Sequence, residues 1–165
     1  MNDQVIDSAH KYYLEILKPQ HEEFFAAPAT LRGAFNLATA LFHFHEWLYE
    51  FHKADLEAHF GTKLPTKGAF WARVESADSK FGYVRDLANA SKHVRLTQRP
   101  STDVHHVANT SFQVAAFDSA SFDSSAFETG GIKMKEGNAH ISFDECAKGL
   151  FRYWSGLVHI LRLER

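Results

Sequence analysis

The sequence lacks the residues of several common sites and sorting signals. It has one cysteine, Cys146, in 165 residues, which excludes an internal disulfide and a multi-cysteine metal site. No apolar run approaches the roughly 20 residues that cross a bilayer. The N-terminus is polar and amphipathic and has no apolar signal-peptide core. The net charge of −2 gives no basic excess of the kind that indicates nucleic-acid binding. We therefore expect a soluble, cytoplasmic protein with no membrane partner.

Apolar and aromatic side chains are plentiful. Hydrophobic residues make up 45% of the chain, and 15 residues are phenylalanine. This composition is too apolar for a disordered chain, and the length suits one domain. The sequence predicts a single helical domain over residues 1–165.

Apolar spacing of three and four residues predicts two helices in the first half of the chain. Asp3 is the expected cap of the first helix, and Pro19 is expected to end it. A connector over residues 21–28 would pack Phe24 and Phe25 inward. The second helix is predicted over residues 30–60, with Thr30 as its N-cap and Gly61 as its C-terminal stop.

The second half of the chain predicts two more helices. The third is expected over residues 66–96, since apolar residues alternate at four and three as in a helix-packing seam. The fourth begins where Ser142 and Glu145 fit a capping box.

Between the third and fourth helices the pattern changes to that of β-structure. Residues 104–117 alternate like one or two strands, and residues 132–141 read as a β-hairpin. The fold class predicted is therefore mainly α: a four-helix bundle with a β excursion over about residues 103–141.

A Ser-rich stretch inside this excursion carries a phenylalanine at every fifth position. These are Phe112, Phe117, Phe122 and Phe127. The spacing is similar to that of the pentapeptide-repeat family, which implies one coil of a square β-helix. Our preferred interpretation is a loop whose phenylalanines cover the bundle; exposed, they would mark a partner surface.

Helix two carries the spacing of a metal site. His43 and Glu46 are three residues apart, and Glu46 and Glu50 are four apart, as in half of a carboxylate-bridged site. A two-metal bundle needs a second Glu-x-x-His, which this chain lacks. We therefore favour a solvated charged face with no cofactor, and a metal-binding bundle is the third functional hypothesis.

The end of the predicted third helix contains a cluster of polar and charged residues. Arg85, Asn89, Lys92 and His93 fall within nine residues, and the spacing of four between Asn89 and His93 places both on one helical face. An imidazole can transfer a proton, and a cation can stabilise an anion. The alternative is a polar helix end, where cations are favoured by the helix dipole.

Arginine and histidine on a late helix of a small bundle resemble HEPN domains, which include metal-independent ribonucleases and toxins. The motif of that family is an arginine, commonly followed by a polar residue, and a histidine after four to six further positions. Arg85 and His93 enclose seven residues, and Arg152 and His159 enclose six. The resemblance implies that the histidine acts as general acid or base at a ribose 2′-hydroxyl while the arginine holds the phosphate.

The sequence is compatible with two classes of function. Our leading hypothesis is a non-enzymatic helical domain that acts through protein contacts, with itself as a homodimer or with another protein. The alternative is a HEPN-like module that binds or cleaves RNA.

Overall fold

The computed structural model describes residues 5–90, 132–136 and 139–163. Across these residues the fold is mainly helical with a small two-stranded antiparallel sheet, so the mainly α class predicted from the sequence is confirmed. Asp3, the strands expected over 104–117, the Ser-rich stretch and the end of the predicted third helix lie outside the described residues.

The first helical segment has three parts. Helix α1 covers Ala9–Tyr12, a π-helical turn covers Tyr13–Leu17, and helix α2 covers Lys18–Ala26. The prediction that Asp3 caps this segment was wrong: the helix begins at Ala9, and Ser8 is the N-cap, because its hydroxyl accepts a hydrogen bond from the Lys11 amide at 3.2 Å.

The prediction that Pro19 ends this segment was wrong. Pro19 lies inside a helical segment that continues from Ala9 to Ala26, directly after the π-helical turn, and such a turn is one way in which a helix accommodates a proline without ending. The connector expected over residues 21–28 is consequently helical as far as Ala26. Phe24 is buried and Phe25 packs against the core, so the expected inward packing of this pair is confirmed.

Helix α3 covers Leu31–Phe60, and both of its predicted ends are confirmed. The Thr30 hydroxyl accepts a hydrogen bond from the Gly33 amide at 3.0 Å. Gly61 adopts the left-handed conformation with φ 63°, which favours glycine because a Cβ is strained there.

The single third helix of the prediction is two helices, α4 over Lys67–Ala77 and α5 over Phe81–Ala90. Asp78 separates them in an extended conformation. Its carboxylate accepts a hydrogen bond from the Lys80 amide at 2.9 Å, and its carbonyl accepts one from Phe81 at 3.0 Å. Side-chain capping by aspartate therefore overrides the apolar spacing that predicted one continuous helix.

The sheet and the last helix follow each other directly. Strands β1, Lys133–Glu136, and β2, Ala139–Ser142, pair antiparallel with Met134 opposite Ile141. Helix α6 covers Phe143–Ile160. The Ser142 hydroxyl accepts a hydrogen bond from the Glu145 amide at 3.3 Å, as the predicted cap requires.

Helix α3 lies at the centre of the described structure, in contact with α1, α2, α4, α5 and α6. Each of these helices contributes side chains to one continuous apolar core. Its largest fully buried members include Leu17, Leu37, Phe44, Phe70, Leu87 and Trp154. A membrane-spanning helix is not found within the residues that the structure describes.

Candidate functional site

A row of stacked aromatic rings runs from the core to the surface. It consists of Phe44, Tyr12, Trp47 and Phe51 and is called the aromatic row below. Successive ring centroids are 6.0, 5.0 and 5.9 Å apart, and their planes are 12°, 25° and 9° from parallel. Phe44 is fully buried, whereas Phe51 is 48% exposed.

Helical spacing explains three of the four rings. Phe44, Trp47 and Phe51 are three and four residues apart on α3 and share one face. Tyr12 comes from α1 and lies between Phe44 and Trp47. Its hydroxyl donates to the Ala40 carbonyl at 3.4 Å, and burial raises the pKa of Tyr12 to about 12, so it remains a neutral donor.

The outer end of the row lines a shallow cleft of about 460 Å³. This aromatic cleft combines apolar walls with charged side chains. It is lined by Ile6, Glu46, Trp47, Glu50, Phe51 and Lys67. A concave surface with aromatic walls and a few charged groups is the usual form of a recognition site.

The charged groups of the cleft form an ion-pair network. The Lys67 ammonium is 3.8 Å from a Glu46 carboxylate oxygen and 3.6 Å from one of Glu50. His43 Nδ1 donates to Glu46 at 3.0 Å. Burial raises the pKa of Glu46, but the His43 hydrogen bond and the nearby cations outweigh it and hold the pKa below its usual value.

This network bears on the metal hypothesis for His43, Glu46 and Glu50. The Lys67 ammonium lies within ion-pair distance of both carboxylates and supplies the positive charge between them. Among the described residues, no cluster of three or more histidine, cysteine, aspartate or glutamate side chains has the geometry to hold a metal. The geometry favours an ion-pair network at these three residues.

A second polar cluster joins α4 to α5. The Arg85 guanidinium donates twice to Asp86, at 2.9 and 2.7 Å, and once to Glu75, at 3.0 Å. Asp86 is only 1% exposed. A buried carboxylate requires such a partner, because an uncompensated charge in the interior is very costly. The Arg85 charge is thus engaged by two carboxylates of its own chain.

The other described residues of the HEPN-like hypothesis lie on two helices. Asn89 is half-buried on α5, and Lys92 and His93 lie outside the described residues. Arg152 is exposed on α6, where its guanidinium donates to a backbone carbonyl of the preceding turn at 3.2 Å. His159 is exposed in the last turn of α6.

Cys146 is buried, and its burial raises the pKa of the thiol to about 12. A thiol that stays protonated is a poor nucleophile and a poor metal ligand. The cysteine therefore contributes apolar volume to the core.

Comparison of the chain with protein families, with curated proteins and with solved structures found no match. The functional argument therefore depends on the geometry of this chain alone.

The sequence reasoning missed the two aromatic residues of the cleft. Trp47 and Phe51 were not among the candidate residues of helix two, although each directly follows a glutamate of the predicted charged face, Glu46 or Glu50. A pair of aromatic residues four apart, next to a pair of carboxylates four apart, is the signal that would have found them.

Proposed function

We propose that this chain is a cytoplasmic helical domain that acts through protein contacts rather than catalysis, with the aromatic cleft as its contact surface. One observation carries the proposal. Phe51, a large apolar ring, is 48% exposed at the end of a stacked row anchored in the core.

The row prepares the cleft for binding at low entropic cost. Trp47 is held between Tyr12 and Phe51, and Phe51 stacks almost parallel to Trp47. Ordering a side chain on association commonly costs about 0.5–1.5 kcal/mol. Rings that are already ordered avoid most of this cost, and aromatic anchors of this kind are common at the centres of protein interfaces.

The charged side chains of the cleft fit the edge of such an interface. Glu50 is 66% exposed and Lys67 is 43% exposed, so solvent reaches both. Rim charges of this type contribute little affinity but orient the partner and exclude unsuitable ones. The aromatic rings thus provide burial, and the rim provides specificity.

We propose that the fold is a four-helix bundle and that the cleft is rigid because helices of this bundle carry most of its side chains. Its four members are residues 9–26, α3, residues 67–90 and α6, with the small sheet between the third and the fourth. The contacts of α3 with the other helices support this arrangement. Site residues carried by helices are held more accurately than those carried by loops.

Photo-crosslinking in cells tests the contact surface. The photoreactive residue p-benzoyl-phenylalanine replaces Phe51 in one variant and Ile160 in a control. Ile160 is 53% exposed and lies at the end of α6, so its exposure matches that of Phe51. We expect discrete protein adducts from position 51 and none of the same size from position 160. Absence of adducts at position 51, or identical adducts at both positions, would contradict the proposal.

A second candidate is the HEPN-like RNA module. The observation that favours it is the buried Asp86 beside Arg85, since the family motif has a polar residue directly after its arginine. Asp86 and Glu75 fix the Arg85 guanidinium in place, and His93 follows Asp86 by seven positions. The engagement of Arg85 by two carboxylates weakens its capacity to hold a phosphate, which is why this function comes second.

An RNA cleavage assay in EDTA tests this candidate. The module predicts metal-independent cleavage of single-stranded RNA by the wild-type protein, and a loss of about 10²–10⁴-fold in His93→Ala, because the histidine would transfer a proton. The His159→Ala variant is the matched control for the other Arg–His pair. Wild-type protein that neither cleaves nor binds single-stranded RNA in EDTA would eliminate this candidate.

A further inference from the structure

The partner of the aromatic cleft can be inferred from its charges. We propose that the cleft binds the same cleft of a second copy of this chain, forming a two-fold symmetric homodimer with Phe51 near the axis. This inference rests on the proposed function and specifies its partner.

A surface that pairs with itself must be self-complementary, because residue i meets residue j and residue j meets residue i across the axis. The apolar part of the cleft is self-complementary because Phe51 can pack against its own copy. The Phe51 residue is 48% exposed, so its ring has surface left to pack against the Phe51 ring of a partner in addition to its stacking on Trp47.

The rim meets the same condition in its charges. Glu50 and Lys67 carry opposite charges, are both exposed, and lie 3.6 Å apart within one chain. In a two-fold dimer, Lys67 of each protomer can face Glu50 of the other. Two such contacts form at once, and neither protomer has to bury an unpaired charge.

Glu46, the second acidic residue of the rim, is already paired within its own chain. Glu46 already interacts with both His43 and Lys67 within its own chain. Glu50 is therefore the carboxylate that is most available for exchange between protomers. A strongly acidic partner would face the like charges of Glu46 and Glu50.

Sedimentation analysis over a wide range of protein concentration tests the dimer. We expect a concentration-dependent monomer–dimer equilibrium for the wild type and a monomer for Phe51→Glu, which places two carboxylates at the axis. The Ile160→Glu variant is the matched control and should dimerise like the wild type.

Charge reversal tests the pairing of the rim. Lys67→Glu and Glu50→Lys should each raise the dimer dissociation constant by about fivefold to tenfold, because each creates two like-charge contacts. An equimolar mixture of the two variants should associate more tightly than either alone, because the mixed dimer restores both Glu–Lys contacts. Circular dichroism confirms that each variant folds.

Three results would overturn the inference. They are a wild type that stays monomeric at every concentration, a dimer that persists in Phe51→Glu, and a mixture of the two charge variants that associates no better than its components. If the wild type stays monomeric and position 51 crosslinks in cells to a different protein, the contact surface stands and the second copy is the wrong partner. If position 51 crosslinks to nothing, the proposed function itself fails.

Discussion

Phe44 belongs to two assemblies of packed aromatic rings, one buried in the core and one that reaches the surface. The inner assembly contains Trp154, whose ring meets Phe44 edge-on at 5.6 Å and is fully buried. Its indole N–H donates to the Leu41 carbonyl at 2.9 Å, so its polar atom is paired. The outer assembly is the aromatic row, which leaves the core through Tyr12 and Trp47 and ends at the half-exposed Phe51.

The comparison shows how one buried ring can serve both stability and recognition. Edge-to-face and stacked aromatic pairs each contribute about 0.5–1.5 kcal/mol beyond burial. In the inner assembly this energy supports folding alone. In the outer assembly it holds Trp47 and Phe51 in place at the surface, where both rings are only partly buried. The apolar area that stays exposed is available for burial against a partner.

Truncation of the inner ring should have the largest effect. We expect Trp154→Ala to lower the free energy of unfolding by about 3–5 kcal/mol, because it leaves a cavity in the core and removes the hydrogen bond to the Leu41 carbonyl. The matched variant Trp47→Ala should cost about 1–2 kcal/mol, since that ring is only partly buried. Urea denaturation of both variants measures the difference. Equal losses would mean that the two assemblies do not differ as described.

Acid should weaken the inner assembly through His45. This buried side chain lies against Trp71 at 5.2 Å between ring centroids. Burial lowers the pKa of His45, and the hydrogen bond to the Phe42 carbonyl and the Glu46 charge oppose this effect only in part. The folded state thus favours the neutral ring, and its stability is fully present above the unfolded pKa of about 6.5.

Stability should therefore fall as the pH drops below about 6.5, with a slope of at most about 1.4 kcal/mol per pH unit from this one group. His21, whose pKa burial also lowers, adds to the slope. The test compares the pH dependence of unfolding in the wild type and in His45→Leu. A variant with an unchanged slope would show that His45 is not the group that titrates.

The outer end should have the smallest effect on folding. We expect Phe51→Glu to change the free energy of unfolding of the monomer by about 0.5 kcal/mol or less, as is usual for exposed positions. The measurement is denaturation at low protein concentration, where association does not contribute. A loss above about 2 kcal/mol would place Phe51 in the core and remove the distinction between the two assemblies.

Local signals in the sequence were sufficient for the helix ends that side chains or glycine define. Thr30, Gly61 and Ser142 each satisfy backbone groups within a few residues of themselves, so their roles can be read without knowledge of the fold. Pro19 and Asp78 misled the prediction. A proline within a helical segment and a proline after its end look alike in sequence, and a capping aspartate inside an apolar repeat is easily overlooked.

The candidate site was harder to predict because it depends on a contact between distant residues. The metal-site spacing of His43, Glu46 and Glu50 was visible in the sequence. Lys67 comes from the next helix, and its ion pairs with both glutamates favour an ion-pair network over a metal site. The order of the aromatic row was equally hidden, since Tyr12 of α1 joins Phe44 to Trp47 of α3. Helical periodicity describes one face at a time and contains no information on which ring of another helix lies against it.

One measurement compares the two assemblies directly. The chain has three tryptophans, of which Trp71 and Trp154 are buried and Trp47 lies at the cleft. In protein labelled with 5-fluorotryptophan, Trp→Phe variants assign the three fluorine resonances, and spectra are recorded from dilute protein, from concentrated protein and from protein in cell extract. We expect the Trp47 resonance to shift or broaden on concentration or in extract while those of Trp71 and Trp154 stay in place. A Trp47 resonance that is the same in all three samples would contradict the claim that the aromatic cleft is a contact surface.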